Sequence, residues 1–176
     1  MNILTVDTSA SRLLVIADKD GQTFVKSGNE ELKKHNSMLM PYIDEALKAA
    51  GLTVSDIDCF CAVVGPGSFT GIRVGVSAIN GLAYALDKPV AGINSLHIGI
   101  YADIDLPLLS VMDAGHGNYY SAEIDKSKKL TLSLKTELEV QKFDGKVIFY
   151  DENYNPDLLA DFARIVAKNI IEDGVK

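Results

Sequence analysis

Hydrophobic and polar positions alternate with two different periods along this chain. Residues 3–6 form a short apolar run closed by Asp7-Thr8-Ser9, and residues 12–17 form a second, which reads as two strands. Asp18-Lys19-Asp20-Gly21 is a hairpin turn into a third strand over 22–26. The spacing then changes. Met38, Tyr42, Ile43, Ala46, Leu47 and Ala50 recur at helical intervals, and Gly51 marks the stop, so a helix is predicted over 37–50. A strand over 57–64, a glycine-rich loop, a helix over 68–86 and a short strand over 90–93 follow. The order β-β-β-α-β-α-β joins hairpins to crossovers and predicts an α/β layered fold.

The pattern restarts near Leu106. Leu108-Leu109-Ser110-Val111-Met112-Asp113-Ala114 echoes Asn2-Ile3-Leu4-Thr5-Val6-Asp7-Thr8, and in both places an Asp closes the strand before a turn and a further strand. Runs over 130–136 and 146–150 precede a helix from Pro156 to about Ile171, with proline suited to its first turn. The expected organisation is two duplicated lobes, 1–103 and a shortened 104–176. A strand-Asp-turn-strand unit used twice is the plan of the actin-like (ASKHA, ribonuclease H-like) fold, whose paired turns grip ATP phosphates between lobes. By that analogy Asp7, Thr8, Ser9 and Asp113 are candidates for a nucleotide cleft. Carboxylates there can hold Mg2+ through water, or simply bond the backbone turns.

The loop Gly65-Pro66-Gly67-Ser68-Phe69-Thr70-Gly71-Ile72-Arg73-Val74-Gly75 puts four glycines and a proline into eleven positions. Such a backbone turns sharply and is approached closely, by a ligand phosphate or by another stretch of polypeptide. No Gly-Lys-Ser/Thr follows it and no Gly-x-Gly-x-x-Gly is present. Amides at the start of the next helix can receive an anion, with Arg73 as the nearby cation, but Ser68 or Thr70 can cap the same donors. Along that helix Ile72, Val76, Ile79, Leu82, Ala83 and Leu86 can face a core. Gly71, Val74, Gly75, Ala78, Gly81 and Ala85 form a face of small side chains that admits a second helix, of the same chain or of a partner.

Composition narrows the chemistry. With 47% apolar and 23% charged residues the chain reads as globular, and no run approaches the roughly 18 apolar residues of a membrane span. The opening residues lack a basic segment before a long apolar one, so a cytoplasmic protein is expected. The net charge of -7 opposes direct binding to a nucleic-acid backbone. The densest basic cluster, Lys126, Lys128 and Lys129, lies beside Asp125 in an apparent turn. Cys59 and Cys61 share one face of a strand and read as buried, reduced thiols. His35, His97 and His116 offer no joint metal spacing: a His-x-x-x-His pair from His35 meets Leu39. No Gly-x-Ser-x-Gly elbow or Cys/His pair stands out.

In the eleven-residue loop, in Ile3-Leu4-Thr5-Val6-Asp7-Thr8-Ser9, in the segment from His35 through Leu39 to Pro41, and in Met112-Asp113-Ala114-Gly115, the chain resembles the TsaB (YeaZ) family. The resemblance runs from residue 1 to about 125. Gly115-His116 departs from it, since a basic residue commonly follows Asp-Ala there. The resemblance implies an actin-like fold without catalysis of its own. It implies pairing with a TsaD-type catalytic paralogue, recruitment of a TsaE-type ATPase, and a homodimer when alone. The joint task is to place threonylcarbamoyl on N6 of adenosine 37 in tRNA, with tRNA reached only through the complex. No cofactor of its own is implied; ATP and Mg2+ belong to the complex. The implied interface comprises His35, Met38, Leu39 and Tyr42 on the first helix. Ser68, Phe69, Arg73, Val74, Ala78, Gly81 and Ala85 complete it on the loop and second helix. The competing readings are an ATP-dependent enzyme working at the cleft and a metal-dependent peptidase.

Overall fold

The computed structural model describes residues 1–28, 34–101, 105–150 and 155–174, so the expected lobe boundary at 103/104 lies outside the described residues. Strands β1 (Asn2–Asp7), β2 (Leu13–Lys19) and β3 (Gln22–Gly28) form an antiparallel meander. β4 (Cys59–Gly65) pairs in parallel with β1, and β5 (Val90–Asn94) in parallel with β4, giving the order β3-β2-β1-β4-β5. Parallel neighbours need crossovers, which are α1 (His35–Ala50) and α2 (Phe69–Leu86). Gly51, at φ 64°, ends α1 as the sequence pattern requires.

The second sheet repeats this plan. β6 (Leu108–Gly115), β7 (Asn118–Ile124) and β8 (Leu130–Thr136) form a meander, and β9 (Lys146–Phe149) pairs in parallel with β6, in the order β8-β7-β6-β9. Two short helices escape the sequence pattern. α3 (Ser95–Tyr101) and α4 (Glu137–Gln141) have 7 and 5 residues, too few to show a period, although Thr136 and Glu139 form a capping box that starts α4. The chain's last described helix is α5 (Pro156–Glu172), entered through Asn155, whose side chain accepts from the Asp157 N–H.

The inner strands of the first sheet are buried on both faces, which is why β1 and β4 read as continuous apolar runs. Leu4, Val6, Val15, Phe60 and Ala62 pack against Leu39, Ile43 and Leu47 of α1 and Ile79 and Ala83 of α2. On the opposite face Ile3, Leu14, Ile16, Cys59, Cys61 and Ile93 pack against Leu159, Ala160, Ala163 and Ala167 of α5, and against Met112 and Ala122 of the second sheet. The last helix of the second half therefore covers the first sheet. Arg164 of α5 bonds both Asp18 of β2 and Asp161. Both cysteines are free and buried, and the Cys61 thiol is raised by its hydrogen bond with Cys59 and by burial.

Candidate functional site

Strand β1 ends in the carboxylate of Asp7, which is fully buried. Its Oδ1 accepts from the Ser9 N–H at 2.8 Å and the Ser9 hydroxyl at 2.6 Å. Its Oδ2 accepts from the Tyr150 hydroxyl at 2.6 Å, a contact across the two halves. Thr8 and Ser9, each 1% exposed, lie against the glycine-rich loop. The Thr8 hydroxyl donates to the Gly71 carbonyl at 2.6 Å, and the Ser68 N–H donates to the Ser9 carbonyl at 2.7 Å. A Cβ built on Gly67 would lie 2.4 Å from the Ser9 carbonyl oxygen, and one on Gly71 1.9 Å from that of Thr8. No side chain fits at either position. The glycines let backbone meet backbone, and the Gly71 N–H is further bound by the Ser68 hydroxyl at 3.2 Å. The Ser95 hydroxyl closes the loop's other side by donating to the Pro66 carbonyl at 2.8 Å. Of the two uses such a loop has, this geometry serves internal packing.

Asp113 occupies the equivalent place at the end of β6. Its Oδ1 accepts from the Gly115 N–H at 2.7 Å, the same turn that Asp7 makes with Ser9, but Asp113 is exposed. His116 stands in the exposed β6–β7 turn at φ 55°. Among the described residues, no group of three His, Cys, Asp or Glu side chains is placed to hold a metal ion.

The outer faces of α1 and α2 are different. The helical period turns His35, Leu39 and Tyr42 inward, where they are 0%, 1% and 6% exposed. As surface residues of an interface these three need correction: they form the floor beneath the face, and both ring nitrogens of His35 lack a hydrogen-bond partner among the described residues. Met38 is half-buried, as are Ser68, Val74 and Ala78. Phe69, Arg73, Gly81 and Ala85 are exposed, and a Cβ on Gly81 would meet nothing within 4 Å. The Arg73 guanidinium lies 3.9 Å from the centre of the Phe69 ring, so the cation holds the aromatic in place.

Between the helices runs a groove of about 600 Å³, lined by Leu39, Met40, Phe69, Arg73, Val74 and Ala78 among others. A second hollow of about 360 Å³ shares Met40 and continues along Ile43, Leu47, Leu52 and Leu82. Met40, at 50% exposure, and Tyr84, at 91%, belong to this outer surface and were not among the candidates read from the sequence. Plotting the same helical period around the axis would have found both. Nothing local in the sequence pairs Tyr150 with Asp7, which is a contact between residues from separate halves.

A family model described as TsaD, tRNA N6-adenosine threonylcarbamoyltransferase, matches residues 29–146. The tRNA threonylcarbamoyladenosine biosynthesis protein TsaB of Haemophilus influenzae is 31% identical over 134 residues, covering 73% of this chain and 56% of that protein. The tRNA N6-adenosine threonylcarbamoyltransferase of Moorella thermoacetica is 34% identical over 119 residues, covering 64% of this chain and 35% of the enzyme. The chain thus spans about half the length of the first relative and about a third of the second. Among solved structures, YeaZ from Pseudomonas aeruginosa superposes with a TM-score of 0.73 at 20% identity, over 98% of this chain and 93% of that one. That likeness establishes the fold: duplicated actin-like halves with mixed sheets flanked by helices. By family model and relatives together, this chain belongs to the TsaD family and is of its TsaB (YeaZ) type.

Proposed function

We propose that this chain is a non-catalytic subunit of the machinery that makes threonylcarbamoyladenosine in tRNA, binding a TsaD-type catalytic paralogue through the outer faces of α1 and α2. The observation that carries this reading is the asymmetry of α2. Its inner side is closed on Thr8 through Gly71, while its outer side offers an open groove beside Met40 and Phe69, with Tyr84 exposed further along the helix. Covering large apolar side chains is worth about 1.5–3 kcal/mol each, so three such anchors are enough to make a specific contact. His35, Leu39 and Tyr42 hold the floor rigid from below. The surface formed by Arg73, Val74, Ala78, Gly81 and Ala85 lets a partner's helix approach closely.

The net charge of -7 favours a division of labour in which other subunits hold the tRNA. In the same reading a TsaE-type ATPase joins the assembled pair, and ATP and Mg2+ serve the complex. Two copies pair through the same face when the catalytic subunit is missing, and the setting is the cytoplasm. Ala78→Arg or Gly81→Arg is expected to abolish co-elution with the TsaD-type partner in size-exclusion chromatography, with an unchanged thermal unfolding curve. Undiminished co-elution of both variants would refute the interface. Calorimetry of the isolated chain with ATP-Mg2+ is expected to give no heat, since the donors and carboxylate of the cleft are engaged within the chain; binding heat that Asp7→Ala abolishes would favour the enzymatic reading instead.

A further inference from the structure

Strand β8 is the outermost strand of the second sheet. It pairs with β7 along its whole length, from Asn118↔Thr136 to Ile124↔Leu130, with no break in register. Its other edge has no strand partner among the described residues. Leu130, Leu132 and Leu134 share one face and are 44%, 57% and 59% exposed, and Tyr120, across from Leu134, is 42% exposed. Lone sheet edges are usually blunted by proline, by a bulge or by a charge aimed at an incoming strand. β8 has no proline and no bulge. Its one charged residue, Lys135, is occupied by Glu123 at 3.0 Å. A long regular edge beside an apolar row is a surface suited to being covered.

Charge indicates what covers it. Before β8 the chain exposes Lys126, Lys128 and Lys129, with Asp125 turned into its own loop to accept from Ser127 and Lys129. After β8 it exposes Glu137, while Glu139, also exposed, is turned back to accept from the Thr136 N–H and hydroxyl. One end of the strand is therefore basic and the other acidic. A second β8 laid antiparallel across a two-fold axis brings each basic end to the other's acidic end, twice. A parallel copy would oppose like charges. The segment Leu130-Thr131-Leu132-Ser133-Leu134 has the same apolar–polar alternation in both directions, so antiparallel pairing keeps the leucines of both copies on one face.

We propose that β8 pairs with β8 of a second copy of this chain, antiparallel across a two-fold axis, merging the two four-stranded sheets into one. The helices α1 and α2 pack on the other sheet and stay open, so a dimer formed this way can carry a partner on each copy. The inference does not depend on who that partner is.

Sedimentation velocity over a concentration series tests it, with Ala78→Arg as the reference chain so that pairing through α1 and α2 is removed. The reference is expected to remain a concentration-dependent dimer. Adding Leu132→Glu, an exposed position, should raise the dimer Kd by about 100-fold or more with an unchanged circular dichroism spectrum. Adding Lys129→Glu instead should raise it about tenfold, and a further Glu137→Lys should restore it to within about threefold, because the ends are again complementary. A reference chain that is monomeric throughout overturns the proposal, and so does a dimer indifferent to Leu132→Glu. A monomer whose leucine face instead captures a different protein overturns it as well.

Discussion

Gly71 and Gly81 belong to one helix, yet an added Cβ would meet the Thr8 carbonyl oxygen at 1.9 Å at the first and nothing within 4 Å at the second. At Gly71 the missing side chain lets α2 lie on the β1–β2 turn. At Gly81 it leaves room outside the molecule. The same residue type therefore closes one side of α2 and opens the other, and only the neighbours distinguish the two uses. By analogy with the actin-like plan, the strand-Asp turn on this inner side is where phosphates would be gripped. Here Ser9 bonds Asp7, Ser68 bonds Ser9 and Thr8 bonds Gly71, and the open surface lies on the outer side.

The contrast can be broken most severely at Gly71. Gly71→Ala should destabilise the chain by about 3 kcal/mol or more, since the obstacle is backbone and cannot swing away; urea unfolding that shows a loss below about 1 kcal/mol would mean the turn is free to move. Next comes Asp7→Ala, which removes the acceptor for Ser9 and Tyr150 in a buried site, at a cost of about 3 kcal/mol. The exposed counterpart Asp113→Ala should cost under about 1 kcal/mol by the same measurement, and equal losses would show that burial is not what separates the two turns. Tyr150→Phe deletes one hydroxyl and should cost about 1.5 kcal/mol, detected as a lowered unfolding midpoint with unchanged denaturant slope. The smallest effect has the opposite sign: Gly81→Ala should stabilise the isolated chain by about 0.5–1 kcal/mol through helix propensity alone. A destabilised Gly81→Ala variant would show that the outer face is already covered within the chain.

Much of this contrast was legible in the residues. Alternating and helical periods placed the strands of the first half, α1, α2 and α5, because each buries a continuous stripe that leaves its mark on the pattern. The repeated strand ending in Asp announced the second sheet, and the two Asp side chains do make the same turn. What escaped were features set by distant contacts or by too few residues. α3 and α4 are shorter than the period needed to see them. Tyr150 reaches Asp7 only because the two halves fold together. On α1, His35, Leu39 and Tyr42 belong to the inner stripe that runs on through Ile43, Ala46 and Leu47, so the helical period carries their burial.

The placement of α5 has a consequence for how the protein is made. The first sheet is complete in sequence at Asn94, but the helix that covers Ile3, Leu14, Ile16 and Cys61 begins only at Pro156. At about 5–20 residues per second, a ribosome leaves that apolar face uncovered for several seconds. A nascent chain in that interval presents an apolar sheet face to the cell, so the order of synthesis leaves the first sheet exposed until the last helix emerges.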